Sequence, residues 1–316
     1  MEESTASKHY EEFRRSEFPK DVKELPQESK LINHFDRITS LLFDSANALL
    51  KQRKESGEEL VGLFENTRHT IVASYRLRSI NLMRILKGVF NVDLQSLFDE
   101  GTANIIVRSL LESFLIFNYL YKESKENTEE SKFKFHLYEL ASILHFQKHT
   151  DSISKNNNLP LFKKSDLEKD VDNLILKIET SPIFKKQPKK IIDSINKLKS
   201  KKQNFLTFIN FNYLIAKSPL PTNFTKDYYS YASSFAHSEG FSLSISQMIN
   251  RNIEKWSKIN RLNKFRVLTI CLFVSSQFLI SFIEGEKLEF EDEKEMELFE
   301  VFALSNYYVE AMNHND

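Results

Sequence analysis

Apolar residues recur through most of the chain at intervals of three and four positions, which is the pattern of amphipathic helices. The spacing predicts helices over 29–54, 58–87, 104–121, 132–151, 166–178, 188–198, 223–237 (or 225–237), 256–283 and 291–312. A further apolar stretch covers 205–216. Few residues interrupt this pattern, since the 316 residues include only six Gly and seven Pro. We therefore predict an all-α fold, a bundle of long antiparallel helices with a lysine-rich helical insertion.

Shifts in charge along the chain mark the expected domains. Residues 1–27 form a polar leader, residues 28–290 a single helical domain, and residues 291–316 an acidic terminal helix or tail. Lysines outnumber acids in an insertion at 151–204, although the whole chain has a formal net charge of zero. Three interpretations stay open: two solvated faces, an acidic tail lying across a basic face, or contact of the insertion with nucleic acid.

The most apolar of the central helices carries one pair of opposite charges. Within 104–121, Arg108 and Glu112 are about one helical turn apart and therefore lie on the same face. A charge in an apolar helix loses hydration and needs a partner nearby. Arg108 and Glu112 are therefore candidate site residues.

A second candidate stretch, 228–241, combines aromatic, hydroxyl and small residues in the sequence YYSYASSFAHSEGF. Ser234 precedes His237 by three positions, so the hydroxyl and the imidazole share a helical face. The small residues of this stretch would let a neighbouring helix approach closely. If that neighbour is 104–121, the site consists of Arg108, Glu112, Ser234 and His237.

Two motifs, Arg-Ser-Leu-Leu-Glu at 108–112 and Ser-Ser-Phe-Ala-His at 233–237, resemble those of a group of uncharacterised helical bacterial proteins. That group is similar to the HEPN superfamily, and the resemblance extends over roughly 29–283 by the order of elements. It implies a helical bundle that forms a homodimer and serves a bacterial stress or phage-defence response. Many catalytic HEPN proteins are metal-independent ribonucleases, so the resemblance also implies RNA as a substrate, with no metal and no cofactor.

The sequence departs from the family at one position. Catalytic HEPN proteins place an arginine four to six residues before the histidine, whereas 231–233 of this chain are Tyr-Ala-Ser. Only His237 carries over, and Arg108 would have to replace the arginine from another helix. In RNA cleavage, His237 would deprotonate the 2′-hydroxyl and Arg108 would bind the phosphate, while Glu112 would orient one of them.

The alternative is a non-catalytic interaction or scaffold protein. Arg108, Glu112 and His237 would then form a structural polar cluster that fixes the register of the helices. A protein partner would dock on the lysine-rich segment and the acidic tail.

Other features bear on metals and on location. His145 and His149 have a spacing that metal-binding histidines use, but the intervening residues lack the glutamate of metalloproteases, so we predict no metal site. The uncharged run 267–283 is marginally short for a membrane span and contains five polar residues, which predicts a buried core helix and no membrane. The single Cys271 and the charged N-terminal stretch favour a reducing, cytoplasmic location.

Overall fold

The computed structural model describes residues 28–55, 62–87, 98–122, 128–154, 164–206, 210–236, 253–286, 288, 300 and 303. Every regular element in these residues is helical, and no strand occurs among them. The all-α prediction is therefore confirmed. The predicted leader 1–27 lies outside the described residues, as does nearly all of the predicted terminal helix 291–312.

Nine α-helices, numbered here in chain order, make up the regular structure of the described residues. Their bounds are α1 Glu28–Glu55, α2 Gly62–Leu86, α3 Glu100–Phe117, α4 Thr128–Ser154, α5 Lys164–Thr180, α6 Lys189–Lys199, α7 Phe211–Lys217, α8 Thr222–Ala236 and α9 Ile253–Glu286. A π-helical turn, Asn118–Lys122, follows α3 directly, and a 3-10 turn, Phe184–Lys186, precedes α6.

Within the apolar stretch 205–216, helix α7 begins at Phe211. Asn210 is the N-cap of this helix. Its side-chain oxygen accepts the backbone N–H of Asn212 at 2.9 Å, and its carbonyl accepts that of Leu214 at 3.0 Å. An Asn in this role satisfies donors that the first helical turn leaves without partners, and it thereby sets the start of the helix.

The described helices form two compact units, and the first consists of α1, α2, α3, α8 and α9. Within it α9 packs against α1 and α3, α1 packs against α2, and α3 lies between α2 and α8. Phe278 of α9 is fully buried, with its ring centre 4.9 Å from that of Tyr75, 4.7 Å from Phe117 and 5.7 Å from Phe114. Large aromatic side chains therefore join α2, α3 and α9 in one core.

The second unit comprises Asn118–Lys217 and has a core of its own. Buried apolar residues of α4, α5, the 3-10 turn and α6 form this core: Phe133, Leu137, Leu140, Leu144, Leu174, Ile175, Ile178, Phe184, Ile195 and Leu198. The lysine-rich segment predicted as an insertion at 151–204 lies within this unit, which begins earlier, at Asn118.

Two described stretches, 100–122 and 263–286, are long and apolar enough to span a membrane by length and composition. Core helices of globular proteins meet the same criterion, and 83% of the most apolar window of 263–286 is buried by protein. Polar groups in this helix are satisfied within the protein. The hydroxyls of Ser275 and Tyr75 share a hydrogen bond of 2.8 Å, and Ser276 donates to the carbonyl of Leu272.

Candidate functional site

Polar residues recur every four positions along α3 and meet tyrosines of α8. Because 3.6 residues make one turn, this spacing produces a stripe that winds slowly around the helix. The α3 members are Glu100, Asn104, Arg108 and Glu112, and the α8 members are Tyr228, Tyr229 and Tyr231. We call these seven residues the polar seam.

One end of the polar seam is a cluster of Arg108, Glu112 and Tyr229. The Arg108 Nε donates to Glu112 Oε1 at 2.9 Å, and the Tyr229 hydroxyl donates to the same oxygen at 2.9 Å. The Arg108 Nη2 also donates to the Tyr229 hydroxyl at 3.3 Å. The side chains of Arg108 and Glu112 keep 22% and 26% of their surface exposed. The cluster is therefore neither deeply buried nor fully solvated.

The electrostatics of this cluster keep Arg108 and Tyr229 in one protonation state near neutrality. Partial burial disfavours the charge on Arg108, but the hydrogen bond and charge of Glu112 outweigh it and raise the pKa of Arg108. Burial, followed by the charge and hydrogen bond of Glu112, raises the pKa of Tyr229 to about 12. Arg108 thus remains a cation and Tyr229 a hydrogen-bond donor. Neither is a general base at neutral pH.

The carboxylate of Glu100, the first residue of α3, lies at the other end of the polar seam. The Tyr231 hydroxyl donates to Glu100 Oε1 at 2.6 Å, and Asn263 Nδ2 of α9 donates to Glu100 Oε2 at 2.7 Å. Beside them the Tyr228 hydroxyl donates to Asn104 Oδ1 at 2.7 Å. Glu100 is only 8% exposed, and its position in the first helical turn is favourable for a negative charge. These bonds fix the positions of three helices relative to one another.

Among the predicted site residues, the structure brings together Arg108 and Glu112 but not Ser234. The Ser234 hydroxyl donates to the carbonyl of Tyr231 in its own helix at 2.8 Å. The hydrogen bonds described for Arg108 and Glu112 do not include this hydroxyl. His237 lies outside the described residues, since the description of α8 ends at Ala236.

Tyr229 was not predicted as the partner of Arg108, and neither was the Glu100 end of the polar seam. One signal was present in the sequence, namely polar residues at intervals of four in an apolar helix. Three tyrosines within four positions of α8 supplied the matching donors. Neither pattern specifies which helix faces which, so only the packing of α8 against α3 reveals the pairing.

A second charged cluster is structural. The carboxylate of Glu286 at the end of α9 binds both Arg53 of α1 and Arg68 of α2. The adjacent cavity, lined in part by Phe282, measures about 20 Å³, which is enough for about one water molecule. The cluster joins the ends of three helices.

The remaining candidates from the sequence are the pair His145 and His149 and the thiol of Cys271. His145 is exposed, and the side chain of His149 lies outside the described residues. No group of three or more potential metal ligands occurs among the described side chains. Cys271 is buried, and burial raises the pKa of its thiol. A buried thiol of this kind is unreactive.

Comparison with protein families identifies a family that this chain resembles. Residues 80–257 match a family described as "Family of unknown function (DUF5677)". The matched region is more than half of the 316 residues and contains both helices of the polar seam. Comparisons with curated proteins and with solved structures give no match. The chain therefore belongs to the DUF5677 family.

Proposed function

We propose that this chain is a HEPN-like helical protein of a bacterial stress or phage-defence response and that it acts on RNA without a metal ion. One observation supports this proposal most directly. The partly exposed guanidinium of Arg108 is held in position by Glu112 and Tyr229, so a permanent cation is fixed near the surface. A fixed guanidinium suits a phosphodiester because it binds phosphate oxygens in a fork and stabilises the charge that develops during cleavage.

The chemistry also needs a group that removes the proton of the attacking 2′-hydroxyl. Tyr229 does not serve, because its pKa of about 12 keeps it protonated at neutral pH. A histidine is suited to this step, since its ordinary pKa is near 6.5. The proposal therefore assigns the base to His237, the residue that the HEPN resemblance carries over, and the phosphate contact to Arg108.

A specific observation favours a second candidate function, a non-catalytic interaction or scaffold protein. Arg108 and Glu112 neutralise each other, and the Tyr229 hydroxyl bonds with both of them. A satisfied pair of this kind needs no ligand. Its role would be to fix the register of α3 against α8.

Incubation of the purified protein with total RNA and EDTA separates the two candidates. We expect Arg108→Gln and His237→Gln to lower the cleavage rate by about 100-fold or more, the usual contribution of a base or a fixed cation. The matched controls are Arg84→Gln and His145→Gln, which alter the same residue types at exposed positions. Intact RNA in every sample, or equal losses in site and control variants, would favour the scaffold.

The same proposal includes a homodimer in the cytoplasm, as the HEPN resemblance implies. Light scattering coupled to size-exclusion chromatography measures the mass in solution, and twice 37.2 kDa is expected. A monomer at micromolar concentration would contradict this part of the proposal. Cell fractionation with an epitope-tagged chain tests the location.

A further inference from the structure

The segment from 183 to 202 carries eight lysines and one acid, although the chain as a whole has no net charge. All eight lysines are exposed. Lys199 pairs with Glu179 at 2.7 Å, and among the described residues none of the other seven forms an ion pair with a carboxylate. We call these seven the lysine surface: Lys185, Lys186, Lys189, Lys190, Lys197, Lys201 and Lys202.

Packing of α6 holds part of this surface outward. Ile195 and Leu198 are buried in the core of the second unit, so the apolar face of α6 is occupied by protein. At 100° per residue, Lys189, Lys190 and Lys197 lie on the opposite face, together with Asp193, the one acid of the segment. The lysine surface is thus displayed on a folded helix rather than on a free tail.

An exposed aromatic ring is held beside the lysine surface. Phe205 keeps 57% of its surface exposed. The side-chain amide of Gln203 donates to the carbonyl of Ser194 in α6 at 3.2 Å and to that of Phe205 at 2.9 Å. These two bonds tie the backbone at Phe205 to the middle of α6. The backbone that carries this exposed ring is therefore held against the helix that displays part of the lysine surface.

We propose that the lysine surface and Phe205 bind single-stranded nucleic acid. Lysines bind phosphates of the backbone and release counterions, while an exposed aromatic ring stacks on an unpaired base of any sequence. An anionic membrane fits less well, because a helix that binds membranes inserts its apolar face, and that face of α6 is buried in the core. The inference does not depend on the proposed cleavage by Arg108 and His237.

Fluorescence anisotropy of the full chain in EDTA tests the binding, with labelled single-stranded RNA of about 12 nucleotides. We expect the triple variant Lys189→Gln, Lys190→Gln and Lys197→Gln to weaken binding by about 100-fold at roughly 0.1 M KCl. This value follows from three lost phosphate contacts, which should also reduce the slope of log K against log[KCl] by about 2. The matched control, with the same change in net charge, replaces the exposed Lys51, Lys87 and Lys148 with Gln.

A second pair of variants tests the aromatic contact. Loss of one stacked base lowers the binding affinity by roughly 10-fold. Phe205→Ala should therefore weaken binding by that factor without changing the slope of log K against log[KCl]. Phe205→Trp should retain binding. The matched control is Tyr213→Ala, since Tyr213 is another exposed aromatic residue of the same unit.

Further probes show which type of nucleic acid binds. Single-stranded DNA of equal length distinguishes RNA from DNA, and a duplex should bind more weakly because its bases are not free to stack. The inference fails if single strands do not bind, if both triple variants bind equally well, or if only phosphatidylserine vesicles bind. Cleavage by the triple variant is measured in a separate assay with Arg108→Gln as the reference for lost cleavage, so a failure of this inference and a failure of the proposed cleavage are separate results.

Discussion

Replacement of Glu112 by Gln tests whether the hydrogen bonds of this partly buried carboxylate stabilise the fold more than those of an exposed one. Gln keeps the size of the side chain and one acceptor oxygen but removes the charge. In the native protein Glu112 Oε1 accepts one bond from Arg108 and one from Tyr229, and 26% of the side chain is exposed. A natural control exists in α1, where Lys51 and Glu55 have the same spacing but are 77% and 68% exposed.

The expected magnitude follows from these contacts. A hydrogen bond to a charged group contributes about 1.5–3 kcal/mol and a neutral one about 0.5–1.5 kcal/mol, so neutralisation of Glu112 weakens two bonds by roughly 1 kcal/mol each. Glu112→Gln should therefore lower the free energy of unfolding by about 2 kcal/mol. Glu55→Gln should cost only about 0.3–0.5 kcal/mol, the usual contribution of an exposed pair at this spacing.

Urea unfolding followed by circular dichroism measures both losses, and thermal unfolding provides a second readout. For a unit of this size about 1 kcal/mol corresponds to a shift of roughly 2–4 °C in Tm, so Glu112→Gln should lower the Tm by about 4–8 °C. A double-mutant cycle with Tyr229→Phe should give a coupling energy of about 0.5–3 kcal/mol. Equal losses for Glu112→Gln and Glu55→Gln would refute the reasoning, because burial would then have no effect on the pair.

Three further predictions follow from burial and from the raised pKa of Tyr229. The buried thiol of Cys271 should resist iodoacetamide in the native protein and react on unfolding in urea, which mass spectrometry detects; rapid native labelling would contradict its burial. Phe278→Ala should lower the free energy of unfolding by about 3–5 kcal/mol, because the side chain is fully buried, whereas Phe205→Ala at an exposed position should change it by less than about 0.5 kcal/mol. The neutral phenol of Tyr229 stabilises the fold below pH 10, and this contribution is lost as the pH rises through its folded-state pKa of about 12. The urea midpoint of Tyr229→Phe should therefore fall less between pH 10 and 12 than the urea midpoint of the wild type. Parallel declines in the two proteins would show that this tyrosine does not contribute.

The order of helices and most of their inner faces were predictable from the sequence. In α1, for example, Leu31, Phe35, Ile38 and Leu42 recur at intervals of three and four positions, and all four are buried. The pattern succeeds because helix formation depends on backbone bonds between residues four apart, and burial follows the same short period. The pattern alone does not fix where a helix begins: α7 starts after the Asn210 cap, inside the apolar stretch 205–216.

The candidate site was predictable only where it is local. Arg108 and Glu112 are four positions apart on one helix, so their pairing was determined by the sequence itself. Tyr229 lies 121 positions from Arg108, and Asn263 lies 163 positions from Glu100, so these contacts exist only because α8 and α9 pack beside α3. The Ser234 hydroxyl has the right spacing for the site, yet it binds a carbonyl of its own helix. Helical periodicity determines which side chains share a face, but the packing of helices distant in sequence decides what that face meets.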